Sequence, residues 1–588
     1  MSLRPQSSAA RVLFTLDGPW QFQPDPDDVG EAAGWTGGLP APRPIAVPAS
    51  WNEQYGDLVH FFGAGWYQTR LDLPPRAPNS VAQLHIGSAF YRCDVWLDGE
   101  YLGGAEGGYL PAIFALGERA RPGSRLVVRV DGRLSPTTVP SAGQPSDPRD
   151  VFASFDQQFP RVGFDFFPYC GIHRPVRVTV LPEHHLTDLT VVTDPEGSDG
   201  VRVRVRVERS DARPCTLRLS LCGQELTMAL ARQHDEATIG LTAPRLWSLE
   251  TPTLHDLRAE LWDGPHLLDS YQLPVGLRWV ELRDGLLLLN GRPVRLRGFG
   301  KHEDFPISGR GLVQAVNVRD FDLLRWCGAN SFRTTHYPYS EELLDLADQL
   351  GVLVIGETPA VGLWFGEGWE RRLERCQELT AGLIARDKNR PSVIIWSLAN
   401  EPMSDRPAAE PFFARLFACA RALDPTRPLM LVSWRGVEEA AYAHADILGL
   451  NRYAGWYSEQ GQIERGVARL KAELSAIHAH YGKPVMLTEF GAEAIPGLHA
   501  APPEMFSEEY QAALIAAYLD TTEALPFVIG EHVWNFADFR ANQHTTRVGG
   551  LNHKGVFTRD RRPKLGAHLL RKRWRGDTDG SPPTLLPA

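Results

Sequence analysis

The sequence predicts a protein of mixed class: a jelly-roll-like β-sandwich, an immunoglobulin-like β-sandwich and a (β/α)8 barrel. Three observations carry this expectation. The 588 residues exceed one ordinary core. Up to about residue 275, short segments alternate apolar and polar residues between Gly, Pro and Asp, the mark of half-buried strands. Beyond Gly276, helical stretches alternate with eight apolar runs, as in a closed parallel sheet with crossover helices. The expected divisions are 1–182, 183–275 and 276–588.

In the first part, Gly65–Pro74, Ala82–Phe90, Tyr91–Gly103, Ser124–Arg133 and Arg174–Pro182 read as strands. Asp98-Gly99 between alternating runs is a two-residue hairpin signal. Leu134–Asp150, rich in Ser and Pro, reads as a long loop. In the second part, Gly200–Ser210 places Val on one face and Arg on the other, and Cys215–Gly223 and Thr253–Asp263 continue the pattern. No residue of this part proposes chemistry. In the third part the apolar runs are Arg295–His302, Ser331–Tyr339, Val352–Thr358, Ser392–Pro402, Leu429–Trp434, Ile447–Tyr453, Pro484–Gly491 and Val528–Phe539. Helical patterns lie between most of them, among them Val313–Ala329, Glu341–Gly351, Ile463–His480 and Glu508–Glu523.

Composition narrows the function. The 43% hydrophobic and 22% charged fractions are those of a globular chain. A net charge of −10 argues against nucleic acid as a partner. The 16 Trp suit both β cores and sugar rings. The seven cysteines are scattered without a CxxC pair, so neither a zinc knuckle nor a disulfide framework is expected. The N-terminus has no apolar h-region, and no uncharged run reaches ~18 residues. The expected setting is the cytoplasm, without a membrane partner.

In such barrels the chemistry collects at the C-terminal ends of the strands. Those ends carry His302, Arg333 with His336, Glu357, Asn400-Glu401, Trp434, Asn451 with Tyr453, Glu489, and Trp534 with Asp538. Glu401 and Glu489 end the fourth and seventh runs. Two facing carboxylates are what glycoside hydrolysis requires; ion pairing with a barrel arginine is the alternative use of each. GxSxG, HExxH and GxGxxG do not occur. His302, His336 and His553 lack metal-ligand spacing and are expected to serve as hydrogen-bonding or core residues. No metal or other cofactor is expected.

WSLANEP (396–402), TEFG (488–491), GFGKHED (298–304) and RTTHYPY (333–339) together resemble glycoside hydrolase family 2. The likeness extends through LDGPWQF (16–22), VPASWNEQY (47–55), DFFPYCGIHRPV (165–176), IARDKNRPSV (384–393), LNRYAGWY (450–457), HVWNFADF (532–539) and GVFTRDRRPK (555–564). The resemblance implies a retaining exo-β-glucuronidase acting through a covalent glycosyl-enzyme, with carboxylates ~5–5.5 Å apart. By resemblance, Glu401 corresponds to the acid/base, Glu489 to the nucleophile and Asn400 to the contact with the sugar 2-hydroxyl. Asn552-His553-Lys554 matches the Asn-x-Lys motif that binds a C6 carboxylate, through charge-assisted hydrogen bonds that a neutral hexose cannot use. Asp165, His302, Tyr453, Tyr457, Trp534 and Arg547 are implied as further sugar-site residues. The family suggests a homo-oligomer, tetramer or dimer.

Two departures from the family are visible. Pro359–Gln377 is short where several members carry a long insertion, which implies a more open entrance. Leu551 is an extra residue before Asn552, which bears on where Lys554 lies. The competing readings are a β-galacturonidase or dual β-uronidase, then a β-galactosidase, and, in another class, a non-catalytic carbohydrate-binding protein. Intact Glu401 and Glu489 speak against the last.

Overall fold

The computed structural model describes residues 3–73, 79–117, 120–143, 159–543 and 545–576. The last part of the expected loop, 144–150, lies outside them. The first sandwich sets a six-stranded sheet (Arg43–Val47, Gly18–Asp25, Ala64–Arg70, Arg125–Asp131, Arg92–Leu97, Glu100–Glu106) against a four-stranded one (Val12–Thr15, Val176–Pro182, Ser80–Ile86, Ala112–Ala115). Trp20, Phe22, Trp51, Tyr67, Leu84, Val95, Val128 and Val178 fill the space between. Asp98 and Gly99 both have positive φ, the geometry of a tight hairpin turn.

The second sandwich has sheets of three strands (Leu186–Glu196, Gly200–Arg209, His234–Thr242) and four (Gln224–Leu230, Cys215–Leu221, His255–Asp263, His266–Val275). Val201, Val203, Val205 and Val207 are buried while the intervening arginines face outward, as the period-two pattern requires. A strap from the N-terminus crosses this sandwich: Leu3 N donates to Thr187 O, and Tyr271 Oη donates to Arg4 O. Arg11 is buried in a bidentate pair with Asp269, at 2.8 and 2.6 Å. Removing one member of such a pair strands a buried charge. Asp269→Ala is therefore expected to cost about 3 kcal/mol or more, read as a lower chemical-denaturation midpoint.

Eight parallel strands close the barrel in chain order: β1 (Leu296–Lys301), β2 (Ser331–Thr334), β3 (Leu353–Glu357), β4 (Val393–Asn400), β5 (Leu429–Ser433), β6 (Ile447–Asn451), β7 (Val485–Glu489) and β8 (Val528–Val533). Two of the crossover helices begin on serine N-caps. Ser340 caps Glu341–Leu350 by accepting from Leu343 N, and Ser507 caps Glu508–Glu523 by accepting from Tyr510 N. A small sheet (Val280–Arg283, Leu286–Leu289, Arg292–Pro293) floors the barrel. Its Leu287 and Leu289 join Leu296, Leu353, Ile394, Met430, Ile447, Met486 and Ile529 in one cluster at the N-terminal ends of the strands. With that end sealed by apolar side chains, the opposite end is left for polar ones.

The first sandwich docks beside that polar end. Arg174 reaches Glu303 at 3.2 Å, and Glu53 receives Arg540 and Arg559, each at 2.8 Å. The segment after residue 159 follows the loop beyond β8: Phe167 N donates to Arg540 O, and Phe166 bridges Ala541. This pairing carries Asp165 to the barrel mouth.

Candidate active site

The eight strands converge a set of buried polar groups that a barrel core would not otherwise tolerate. β4 ends at Asn400, and Glu401 then turns into the left-handed region with φ +48°, uncommon for a residue with a side chain. The connection after β3 runs alongside: Asn400 N donates to Ala360 O, Gly362 N to Asn400 O and Met403 N to Leu363 O. The short Pro359–Gln377 segment thus braces the Glu401 turn before its helix starts at Trp369.

Glu489 ends β7, and its two oxygens are met by different donors. Arg333 Nη2 reaches Oε1 at 2.5 Å, and Tyr453 Oη donates to Oε2 at 2.8 Å. Arg333 is fully buried and grips Glu357 with Nη1, at 2.8 and 2.7 Å. His336 Nδ1 lies 2.7 Å from Glu357 Oε1, and its Nε2 lies 3.7 Å from Glu489. Glu401 Oε1 accepts from Asn451 Nδ2 at 2.7 Å.

Burial favours the neutral form of both carboxyls. It raises Glu401, and it raises Glu489 to about 8, where Arg333 opposes it and the charge of Glu401 adds to it. The two carboxyls interact, so they lose their protons as a coupled pair. The hydrogen-bond donors decide which of the two carries the charge. A guanidinium and a phenol converge on Glu489, while Glu401 has one amide. Hydrogen bonds to the charged form favour it, so the anion belongs on Glu489 and the proton on Glu401. Glu357 is held below its ordinary range: burial works against it, but Arg333 and His336 outweigh burial.

An aromatic wall closes one side. His302 is buried among Phe166, Tyr337, Trp534 and Phe539, with Nδ1 3.2 Å from Tyr337 Oη. Burial, reinforced by nearby cations, pushes it well below its ordinary value, so it is neutral. Trp534 stacks on His336 with centroids 5.2 Å apart. Two motif glycines make room for it. A Cβ on Gly300 would lie 2.6 Å from the Trp534 ring, and one on Gly491 would lie 2.4 Å from its carbonyl oxygen.

The second cluster is cationic at its centre. Leu551–Asn552 pairs antiparallel with Phe539–Arg540 just beyond β8, which fixes Asn552 and then Lys554. Lys554 is buried, with Nζ 2.7 Å from Tyr457 Oη and 3.3 Å from Glu493 Oε1. The rings of Tyr453, Trp456 and Tyr457 surround it at 5.6, 5.7 and 4.7 Å. Arg547 donates to Glu493, to Asp165 Oδ2 at 2.6 Å and to Tyr457 Oη at 3.3 Å. Asn552 Nδ2 donates to the same Asp165 oxygen at 2.9 Å. Burial would raise Asp165, but Arg547 and Lys554 hold it below its ordinary value.

The site residues of the sequence analysis therefore form two connected groups: the strand-end residues Glu401, Glu489, Asn400, Tyr453, His302 and Trp534 in one, and Asp165, Tyr457, Arg547, Asn552 and Lys554, which the family resemblance had implied, in the other. Trp434 stands apart, half exposed at the rim with Arg435 stacked on it at 4.7 Å. Asp538 lies behind the cationic cluster, held by Lys564 at 2.7 Å, with His553 at 3.4 Å. Among the described residues no group of three or more His, Cys, Asp and Glu side chains is placed to hold a metal ion. Glu493 was missed by sequence reasoning. It stands four residues beyond Glu489, and extending the strand-end rule into the following loop would have found it.

The family model described as glycosyl hydrolases family 2, TIM barrel domain, matches residues 280–576, and a second, glycosyl hydrolases family 2, matches 182–278. The chain belongs to glycoside hydrolase family 2. It is a glycoside hydrolase. Relatives of this family 2 chain include the β-glucuronidase of Paenibacillus borealis, 40% identical and aligned over 97% of this chain and 98% of that one. A solved β-glucuronidase from an uncultured Clostridium species is 35% identical, with a TM-score of 0.90 over 98% of this chain and all of its own. The Ruminococcus gnavus β-glucuronidase in complex with D-glucuronic acid is 36% identical, with a TM-score of 0.90 over 97% and 99% of the two chains. These are the family and architecture that the motifs and the eight apolar runs had implied.

Proposed function

We propose that this family 2 hydrolase is a retaining exo-β-glucuronidase. The observation that carries the reading is the buried Lys554, Arg547 and Asn552 cluster, linked through Tyr453 and Tyr457 to the Glu401 and Glu489 pair. Glu489, ionised between Arg333 and Tyr453, attacks the anomeric carbon. Glu401 gives its proton to the departing glycosidic oxygen, and the sugar is left as an ester of Glu489. Water then enters. Glu401, now ionised, takes a proton from it, the ester bond breaks, and glucuronate leaves with its β configuration. Asn400 supports the transition state at the 2-hydroxyl, and His302 and Trp534 shape the wall beside the ring.

Lysine has three N–H donors. Two meet Tyr457 and Glu493, and the third is assigned to the C6 carboxylate, with the second N–H of Asn552 beside it. The site is also balanced in charge, with Arg547 and Lys554 matched by Asp165 and Glu493. Its preference for a uronate then rests on placed, buried donors, where an unmet donor is costly for a neutral sugar. The finer setting belongs to the same proposal: a cytoplasmic homo-oligomer, tetramer or dimer, whose seven free cysteines suit a reducing compartment.

The test is a rate comparison on the purified protein with p-nitrophenyl β-glucuronide, β-galacturonide and β-galactoside. The glucuronide is expected to exceed the galactoside by at least ~100-fold in kcat/KM. Equal rates on those two would reject the assignment of Lys554 and Asn552, and parity with the galacturonide would make the enzyme a dual β-uronidase.

A further inference from the structure

The side chains around Glu401 carry a hydrogen-bond polarity that starts at Arg333. A guanidinium has donors and no acceptor. Arg333 Nη1 lies 3.4 Å from the Asn400 side chain, so the amide atom facing it is Oδ1. Asn451 approaches the same oxygen at 3.2 Å. An acceptor is met by a donor, which makes the Asn451 atom there Nδ2. That nitrogen is the atom 2.7 Å from Glu401 Oε1. On the other side of the amide, Asn451 Oδ1 accepts from Thr488 Oγ1 at 2.8 Å. Asn400, Asn451 and Thr488 are all buried, so bulk water does not compete for these bonds.

We propose that Asn451 and Thr488 are positioning residues for Glu401. The Asn451 NH2 group, its orientation set by the Arg333–Asn400 contact and its Oδ1 met by the Thr488 hydroxyl, donates the hydrogen bond that lets Glu401 ionise in the site. Thr488 immediately precedes Glu489, so β7 supplies the nucleophile with its last residue and steadies the acid/base with the one before. The inference rests on the acid/base assignment made above.

The reaction needs Glu401 in both states, neutral to protonate the leaving oxygen and ionised to accept a proton from water. Burial drives it toward the neutral state, and the Asn451 bond is the largest effect opposing burial, with Arg333 and Arg452 acting in the same direction. The anions Asp165 and Glu489 act against ionisation, and the Tyr453 phenol also faces the pair. Glu357 and His336 lie behind Arg333. Without the amide donor, Glu401 keeps its proton to higher pH. The basic limb of kcat/KM, which reports the free enzyme's acid, then moves upward.

The experiment measures pH profiles of kcat/KM and kcat on p-nitrophenyl-β-D-glucuronide for wild type, Asn451→Ala, Thr488→Val and Thr488→Ser. In Asn451→Ala the basic limb is expected to rise by about one pH unit. Thr488→Val, which keeps the shape and loses the hydroxyl, is expected to raise it by less, and Thr488→Ser to return it to the wild-type position. At neutral pH kcat should fall more than kcat/KM in the first two, because water attack needs ionised Glu401. A limb that stays in place in both Asn451→Ala and Thr488→Val, while rates fall uniformly with pH, overturns the proposal. Glu401→Ala separates this failure from that of the acid/base assignment. If that variant keeps the wild-type basic limb, the assignment itself is wrong; if the limb disappears, only the roles of Asn451 and Thr488 are rejected.

Discussion

Glu489→Ala is expected to lose roughly 10⁴-fold or more of the turnover of p-nitrophenyl-β-D-glucuronide, with the fold retained. The carboxylate is the proposed attacking group, and neither neighbour replaces it. Arg333 has no electron pair to offer, and Tyr453 is a half-buried phenol pushed well above its ordinary value by desolvation and the nearby Glu489, so it stays protonated. The fold should survive because Arg333 keeps its two contacts with Glu357, so no buried cation is stranded. Initial rates and a circular-dichroism melt on the same preparation check both halves. Azide adds a stereochemical readout. It fits the space vacated by the side chain, attacks from that face and yields the α-azide. Near-normal turnover by this variant would remove Glu489 from the mechanism.

Lys554→Ala is the second large effect, and it should discriminate between substrates. The uronide is expected to lose about 2–4 kcal/mol of transition-state binding, roughly 30- to 1,000-fold in kcat/KM, while a matched neutral β-glucoside changes little. The asymmetry follows from what remains. Glu493 keeps its bond to Arg547, and Tyr457 keeps its contact with Arg547, so the loss centres on one ammonium beside the carboxylate. An equal loss on both substrates would mean that Lys554 supports the site's structure and does not read the acid.

Much of this architecture was legible because the relevant signals are local. The valines of Gly200–Arg209 alternate, and burial follows them residue by residue. Each apolar run of the barrel ends in a polar group, and in a closed parallel sheet those ends share one side. What was not legible depends on convergence across long separations. Nothing near Arg333 announces that it is divided between Glu357 and Glu489, because those partners sit on strands that meet only when the barrel closes. The Leu286–Leu289 run gave no sign that it floors the barrel, since a short apolar strand reads alike in a sheet or across a barrel end. Glu493 lies in a loop, where no periodicity marks a buried carboxylate. The approach of Asp165 was implied by resemblance, but its bonds to Arg547 and Asn552 come from the 159–170 segment pairing with the loop after β8.

The mechanism turns on retention, and the anomer released first reports it directly. Proton NMR during the first turnovers of p-nitrophenyl-β-D-glucuronide, before mutarotation mixes the anomers, should show β-D-glucuronate appearing ahead of the α form. If α-D-glucuronate appears first, water attacks the sugar directly, Glu489 forms no ester, and the account given for this pair of carboxylates is wrong.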